Sequence, residues 1–207
     1  SILAFELFNQ TNNTAIDYKK IHEVCDVLSG KRIPKGLSFA DEITETPYIT
    51  VADMGDKYVR TTNIKYISAE VEATILKYKV TTGDVIISVA GTIGKLNIIL
   101  DFYNGANLTE NCDKFTNFTG VSNEFIYYLL NSSIYQGKIK LLQTVGCQPK
   151  LALDRIRNMK IPIPSERVQQ KIVEQFNSLE KLSNLAIDNI EKISCVQRKL
   201  VRRDNNV

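Results

Sequence analysis

The sequence predicts an α+β protein in which a β-rich domain with packed helices is followed by one long C-terminal helix. Short runs rich in Val and Ile, separated by glycines, are typical of strands and turns. The stretch after Ser122 has the apolar spacing of helices, and after Ser165 apolar residues recur at intervals of three and four. We therefore expect an N-terminal extension or linker at residues 1–17, a globular domain at 18–164 and the helix at 165–207.

Composition and charge limit what the protein can do. The chain has 207 residues, of which 43% are hydrophobic and 24% charged, as in soluble folded proteins. No apolar run approaches the roughly 18 residues of a membrane helix, and no secretory signal is recognisable. Four scattered cysteines favour reduced thiols and a cytoplasmic location. The net charge of +3 is too small to indicate nucleic acid, so a DNA-binding prediction must rest on local cation clusters.

The clearest local pattern lies between Gly83 and Ile99, where two runs rich in Val, Ile and Leu flank a pair of glycines. This pattern predicts a β-turn-β unit, because the glycines permit a tight backbone between the strands. An ordinary hairpin in a β core has the same pattern. The alternative is a loop that lets a ligand approach the backbone, and its small or basic residues include Ser88, Thr92 and Lys95.

Two further loops are candidates for contacts with a ligand. The first carries Lys31, Arg32 and Lys35 beside Pro34 and two glycines. Pro and Gly at the hinges make such a turn stiff enough to hold cations for phosphate contacts, although a solvated charged turn has the same composition. The second is the Gly/Pro loop Val145–Lys150. A predicted strand, Pro47–Asp53, and a second basic set between Lys57 and Ile67 lie between these loops.

The C-terminal segment has the pattern of a coiled-coil helix. About 39 residues from Ser165 to Arg203 would span about 58 Å, which is too long to lie on a domain of this size. We expect the helix to pair with another helix, in this protein or in a partner, the alternative being a helix that folds back on its own domain. The predicted helix interface consists of Ile172, Phe176, Leu179, Ala186, Ile190, Ile193 and Leu200.

Several catalytic patterns are absent from the sequence. Gly91 to Lys95 lacks the earlier glycine of a nucleotide P-loop and is followed by Leu96. The only histidine, His22, has no clustered cysteines for a zinc site. No Glu-x-Lys of a metal-dependent nuclease and no Asn/Asp-Pro-Pro-aromatic motif of an amino-methyltransferase occurs. We therefore predict no catalytic residues, no metal site and no cofactor in this chain.

The order of motifs resembles one half of a specificity subunit of a type I restriction-modification system. The motifs are Gly83-Asp-Val-Ile-Ile-Ser, Gly91-Thr-Ile-Gly-Lys, the Gly-x-Gln-Pro-Lys loop ending at Lys150, and Ile161-Pro-Ile-Pro followed by Val168-Gln-Gln-Lys-Ile-Val. They cover roughly Tyr18 to Leu200 and are specific as an ordered set. The sequence departs from the family where Pro164-Ser-Glu-Arg-Val-Gln-Gln replaces the usual Pro-Pro-x-x-Glu-Gln, and residues 1–17 match nothing in it.

The resemblance implies a target recognition domain that reads one part of a split DNA sequence through loops in the major groove. It implies a helix that packs antiparallel against a second one and sets the spacing between the two parts. Full subunits carry two such halves, so the resemblance implies a half-subunit, a fragment or the recognition end of a larger enzyme, paired as a homodimer or with a second half. The implied partners are double-stranded DNA, a methyltransferase subunit that uses S-adenosylmethionine and a translocating nuclease subunit, with ATP and magnesium on the partner subunits.

Within this resemblance we assign the candidate DNA-binding residues by their chemistry. Cations hold phosphates, and short polar groups near loops can read base edges. The phosphate candidates are Lys31, Arg32, Lys35, Lys95 and Lys150, and the base-reading candidates are Thr50, Asp53, Ser88 and Thr92. Two alternatives remain: the recognition domain of a single-chain fused restriction-methylation enzyme, and a coiled-coil assembly protein that does not bind DNA.

Overall fold

A four-stranded antiparallel sheet forms the centre of the domain. The computed structural model describes residues 17–144 and 149–204, and for residues 188, 191 and 193–204 it describes the backbone alone. The sheet contains β2 (Asp26–Ser29), β5 (Val85–Ser88), β6 (Leu96–Ile98) and β8 (Cys112–Thr116), in the order β2-β8-β5-β6. The predicted hairpin is confirmed, because β5 pairs antiparallel with β6 and places Ile87 opposite Leu96.

Two smaller sheets complete the strands of the described residues. One contains β3 (Thr46–Ile49), β4 (Lys65–Ile67) and β7 (Asn107–Leu108), in the order β4-β3-β7. The other pairs β1 (Asp17–Lys20) with β9 (Lys160–Ile163). Asp17, which we expected in the N-terminal extension, is therefore the first residue of a strand, and residues 1–16 lie outside the described residues. The predicted strand Pro47–Asp53 ends at Ile49, and Val51–Asp53 form a single 3-10 turn.

In the described part of the chain, four short α-helices pack around these sheets. They are α1 (Ala69–Thr74), α2 (Asn123–Asn131), α3 (Ser133–Leu141) and α4 (Leu153–Arg157). The predicted start at Ser122 is confirmed, because the Ser122 hydroxyl accepts a hydrogen bond from the backbone N–H of Phe125 (3.1 Å). The apolar pattern that continues to Gln143 is divided between α2 and α3. Ser132 has extended backbone dihedral angles between them, and its hydroxyl caps α3.

The central sheet is buried on both faces. Val85 and Ile87 of β5 belong to the core formed with α2, whereas Ile86 between them belongs to a second core on the opposite face. Successive side chains of a strand point to opposite faces, so an uninterrupted apolar run is what a doubly covered strand requires. The covered faces leave the ends of the sheet, rather than its surfaces, available for contacts with a partner.

The long C-terminal helix is present as α5 (Glu166–Asp204), 39 residues in length. Its first turns pack on the domain: Ile172 and Val173 are buried, and the Phe176 ring stacks on Tyr128 with the ring centroids 4.8 Å apart. Among the described residues no helix has both the length and the apolar character needed to cross a membrane.

The predicted helix interface is divided between two environments. Ile172 and Phe176 contact the protein's own domain, so they are core positions rather than surface positions open to another helix. Leu179 and Ile190 are exposed, by 46% and 63%, and Ala186 between them is exposed as well. The side chains of Ile193 and Leu200 lie outside the described residues. The apolar residues of α5 thus attach the first turns of the helix to the domain and then continue along an uncovered face. We call this uncovered part, with Leu179, Ala186 and Ile190, the uncovered stripe.

Candidate nucleic-acid interface

One end of the central sheet collects the loops that carry the predicted site. Four residues at or next to the ends of their strands mark this end, which we call the loop end, and they pair in the order Ser29, Asp113, Ile87, Leu96. Because antiparallel strands alternate in direction, the loop after β2, the β5–β6 loop and the loop before β8 all leave the sheet here. The first two of these loops carry five of the predicted residues, Lys31, Arg32, Lys35, Thr92 and Lys95, and a sixth, Ser88, ends β5 at the start of the second loop.

The remaining three predicted residues are brought to the same end by backbone hydrogen bonds. The N–H of Thr109 donates to the carbonyl of Ile49 (3.0 Å), which places the turn with Thr50 and Asp53 beside the loop before β8. Ala90 forms an isolated antiparallel bridge with Lys150. Segments that are far apart in the sequence therefore converge, and the loops that carry the predicted residues start or end at one end of the domain.

Gly30 fixes the start of the first basic loop. Its N–H donates to the carbonyl of Cys112 (2.9 Å), and the next N–H, of Lys31, donates to the carbonyl of Leu108 (2.8 Å). A Cβ atom on Gly30 would lie 2.1 Å from the carbonyl oxygen of Thr109, so only glycine fits. The backbone of Lys31 is held in place while its side chain remains exposed.

The predicted cations are in three different states. Lys31, Lys35 and Lys150 are exposed at the loop end. Arg32 is exposed too, but its Nε lies 2.5 Å from a carboxylate oxygen of Glu110. Burial alone would raise the pKa of Glu110, but the bonds from Arg32 and from the Thr109 hydroxyl hold that pKa below its ordinary value. Arg32 is thus ion-paired within the protein, whereas Lys31, Lys35 and Lys150 have no ion-pair partner among the described residues. Nζ of Lys31 lies 5.8 Å from the centroid of the Tyr78 ring.

Lys95 shares its environment with Arg60, a cation outside the predicted site. Its Nζ donates to the carbonyl of Met54 (2.6 Å), and Nη2 of Arg60 donates to the same carbonyl (3.0 Å). Both side chains line an open groove of about 830 Å³ together with Thr61 and Thr62. In the sequence, Arg60 is marked only as a member of the basic set between Lys57 and Ile67. Its proximity to Lys95 is a tertiary contact, which local sequence patterns do not predict.

Three of the four predicted base-reading residues hold the loops instead of facing outward. The N–H and hydroxyl of Thr50 both donate to Oδ2 of Asp53 (2.7 and 2.6 Å), and Asp53 is only 7% exposed. Ser88 is fully buried, and its hydroxyl donates to the carbonyl of Thr92 and accepts from the N–H of Lys95 (2.9 Å). Asp53 and Ser88 are therefore turned inward, Thr50 is half-buried, and Thr92 alone of the four is exposed.

A buried carboxyl group lies directly beneath the loop end. Oδ1 of Asp113 accepts a hydrogen bond from the Ser29 hydroxyl (2.7 Å), whereas its Oδ2 is buried and has no partner among the described residues. Burial raises the pKa of Asp113 to about 6, and the Ser29 hydroxyl and the charge of Arg157 offset this only in part. Asp113 is thus a group whose protonation affects the stability of this end of the sheet.

Asp113→Asn is expected to stabilise the protein at neutral pH. The folded-state pKa of about 6 lies above the ordinary 3.8, so the folded protein binds the proton more tightly. The stability linked to Asp113 is then fully present below pH 3.8 and is lost as the pH rises to about 6. The free energy of unfolding of the Asn variant should exceed that of the native protein by about 1–3 kcal/mol above pH 6, with a smaller gap at pH 4.

Urea unfolding followed by circular dichroism at several pH values between 4 and 8 measures this gap. Asp101→Asn, which makes the same chemical change at an exposed carboxyl group, is the matched control. A gap that stays constant over this range, or one that widens as the pH falls, would contradict the role assigned to Asp113.

The fold is that of a DNA specificity domain. Residues 14–194 match the family described as the type I restriction modification DNA specificity domain, and the chain belongs to that family. It is 23% identical over 154 residues to the EcoBI specificity subunit of Escherichia coli, covering 70% of this chain and 32% of that subunit. It is 22% identical over 188 residues to the MjaVIII specificity subunit of Methanocaldococcus jannaschii, covering 88% and 43%.

A solved structure supports the same fold. The HsdS subunit from Thermoanaerobacter tengcongensis superposes with a TM-score of 0.62 at 17% sequence identity, over 87% of this chain and 43% of that one. The resemblance inferred from the sequence is confirmed. The chain spans less than half the length of these specificity subunits.

Proposed function

We propose that this chain is a non-catalytic DNA-recognition half, whose loop end reads one part of a split target sequence. The observation that carries the proposal is the convergence of the polar and basic loops at one end of a sheet whose faces are both covered. Three exposed lysines on those loops, Lys31, Lys35 and Lys150, supply the positive charge that phosphate contacts need. Membership of a DNA specificity family supports the same assignment.

Phosphate contacts and base contacts would come from different residues of these loops. The backbone of Lys31 is held by the hydrogen bond from its N–H to the carbonyl of Leu108, and the backbone of Lys150 is held by its bridge to Ala90. Their ammonium groups therefore extend from a rigid backbone. Thr92 is an exposed residue of the β5–β6 loop, and its hydroxyl suits a contact with a base edge. Asp53 and Ser88 act on recognition indirectly, because they hold the turns that present these groups.

The exposed part of α5 would complete the assembly. The specificity subunits that this chain resembles are more than twice as long, so a second half is missing from the alignment. The uncovered stripe with Leu179, Ala186 and Ile190 is the surface on which an equivalent helix would pack. We propose that this second helix comes from another copy of the chain or from a second half-subunit. The methyltransferase and nuclease subunits would then supply catalysis, with S-adenosylmethionine, ATP and magnesium bound to them.

Selection from a randomised duplex library tests the proposal. The purified chain is mixed with a type I methyltransferase subunit, and the retained DNA is sequenced. We expect a short motif that recurs as an inverted pair at a constant spacing, because two copies joined through α5 would present two loop ends. If no motif is enriched while the chain still self-associates in a salt-independent way, the protein is an assembly protein that does not read DNA. If single motifs are enriched without a partner motif, pairing through α5 is contradicted.

A further inference from the structure

Lys57 connects the domain to the long helix through a closed polar cluster. Its Nζ donates to the Tyr128 hydroxyl (2.6 Å), to Oδ1 of Asn177 (2.7 Å) and to Oε2 of Glu180 (3.1 Å). A carboxylate oxygen of Glu124 lies 3.6 Å away. The Lys57 side chain is only 11% exposed. We call Lys57, Tyr128, Asn177 and Glu180 the Lys57 latch; the first two belong to the domain, and the last two lie on α5.

The charge of Lys57 and the protonation of Tyr128 fix the directions of the hydrogen bonds in the latch. Burial alone would lower the pKa of Lys57, but its hydrogen bonds to Tyr128 and Glu180 raise that pKa above the ordinary value, so the ammonium stays charged. Burial raises the pKa of Tyr128 to about 12, so its hydroxyl keeps the proton that it donates to Asn177 (2.6 Å). Hydrogen bonds that involve a charged group are the stronger ones, and here three of them meet at one ammonium group.

The base of the latch is fixed to the core. The backbone carbonyl of Lys57 accepts from the N–H of Ile98 (2.9 Å), a residue of β6. Asn97 is fully buried, and its amide oxygen accepts from the N–H of Gly55 (2.9 Å) while its amide nitrogen donates to the Gly55 carbonyl (3.1 Å). The segment that carries Lys57 is therefore held rigidly against the central sheet. The latch in turn fixes α5 relative to that sheet.

A second polar contact holds the start of α5. Gln169 is 3% exposed, and its side-chain nitrogen donates to the carbonyls of Gly120 (2.9 Å) and Pro164 (3.0 Å). Its side-chain oxygen accepts from the N–H of Ser122 (3.0 Å). Along the helix, Gln169 and Glu180 are about 16 Å apart at 1.5 Å per residue. Ile172, Val173 and Phe176 pack on the domain between these two points, and the latch at Glu180 is the farthest of these contacts along the helix, where a lateral contact constrains the direction of a rod most.

We propose that the Lys57 latch sets the angle at which α5 leaves the domain, and that it thereby determines the spacing between the two DNA half-sites. The inference rests on the proposed function for its second part only. From Gln169 to the end of α5 at Asp204 the helix extends about 52 Å, so a tilt of about 5° displaces its far end by about 5 Å. This exceeds the 3.4 Å rise of one base pair, so a small change at the latch changes which spacing fits. Lys57 is thus a positioning residue for specificity, although it lies outside the DNA-contacting loops.

Lys57→Met tests the latch, because it removes all the polar contacts of the ammonium group and keeps an unbranched stem that can pack in the same space. Glu124 and Glu180 are more than a third exposed, so their carboxylates can turn to water instead of remaining buried without a partner. Lys181→Met, at an exposed lysine of α5, is the matched control. Asn177→Ala removes one of the two acceptors on the helix side and repeats the test should Lys57→Met not fold.

The angle is measured first, and this measurement does not depend on DNA binding. Nitroxide labels are attached to cysteines introduced at Ser133 on α3 and Ser183 on α5, after Cys147 and Cys195 have been replaced by serine. Pulsed dipolar spectroscopy then gives the distribution of label separations. We expect the width of the distribution to at least double in Lys57→Met and to stay unchanged in Lys181→Met. Equal distributions in the native protein and in the latch variant would overturn the proposal.

The spacing is measured second, by repeating the duplex selection with each variant. We expect Lys57→Met to retain the motif of the native protein but to accept spacers that differ by one base pair or more. A merely destabilised protein would bind all spacers less tightly in equal proportion. An unchanged spacer preference alongside a broadened label distribution would overturn the link to spacing. If the native protein itself selects no paired motif, the proposed function fails, and the label distances still decide the role of the latch.

Discussion

Replacing Lys31, Lys35 and Lys150 together by alanine is expected to lower the affinity for a selected DNA duplex by about 100- to 1,000-fold near 0.1 M salt. Each phosphate that a lysine neutralises contributes about 0.9 to the slope of log affinity against log salt concentration, so the slope should decrease by up to about 2.7. These three predicted residues are exposed, and they have no ion-pair partner among the described residues. Fluorescence anisotropy of a labelled duplex across a salt series measures both quantities.

The control for this triple variant removes the same charge elsewhere. Lys171, Lys181 and Lys192 are exposed on α5 rather than on the predicted loops, and alanine preserves their helix. This control variant should keep most of the affinity and slope. Arg32→Ala should have a smaller effect than any one of the three lysine changes, because Arg32 is already paired with Glu110. If affinity and salt slope are unchanged in the triple variant, the loop end is not the phosphate-contacting surface.

Ile190→Asp is expected to abolish association through α5 while the domain remains folded. Ile190 is 63% exposed, and it lies more than three helical turns beyond Phe176, whose ring packs on the domain. A carboxylate placed in an apolar helix interface would lose its hydration without gaining a partner, which opposes association strongly. Because joining two binding sites raises the overall affinity by 10²–10⁴-fold, affinity for a paired DNA site should fall by about that factor.

Sedimentation at matched protein concentrations measures the loss of association, and circular dichroism establishes that the domain is folded. Lys181→Gln lowers the net charge by the same one unit but lies on the opposite side of the helix from Ile190, so it should leave the mass unchanged. An Ile190→Asp variant with the mass and paired-site affinity of the native protein would show that the stripe is not the pairing surface.

Substitutions at the inward-turned and at the exposed candidate base-reading residues are expected to have different effects. Substitution of Ser88 or Asp53 would alter the shape of a loop, because both side chains are turned inward and hold backbone groups. Substitution of Thr92 would act on the exposed surface itself. Changes at the first two positions should therefore be accompanied by a loss of stability, and changes at the third should not.

The elements of this protein were largely predictable because their signals are local. Alternating and continuous apolar runs, Gly91 and Gly94 in the hairpin turn, the Ser122 cap and the helical spacing after Ser165 all act between residues that are close in the sequence. The α+β class, the β5–β6 hairpin, the long helix and the family resemblance followed from them. The loops that carry the candidate site were also identified, since Pro, Gly and clustered cations mark them directly.

Only the tertiary structure decided which of those residues are available. Arg32 is neutralised by a glutamate 78 residues later in the chain, Lys57 holds an asparagine that is 120 residues away, and Ile172 is covered by its own domain. No spacing in the sequence encodes these contacts, because they depend on how antiparallel strands return distant loops to one end of the sheet and on where α5 crosses the domain. Local patterns determined what the elements are, and long-range packing determined which side chains face outward.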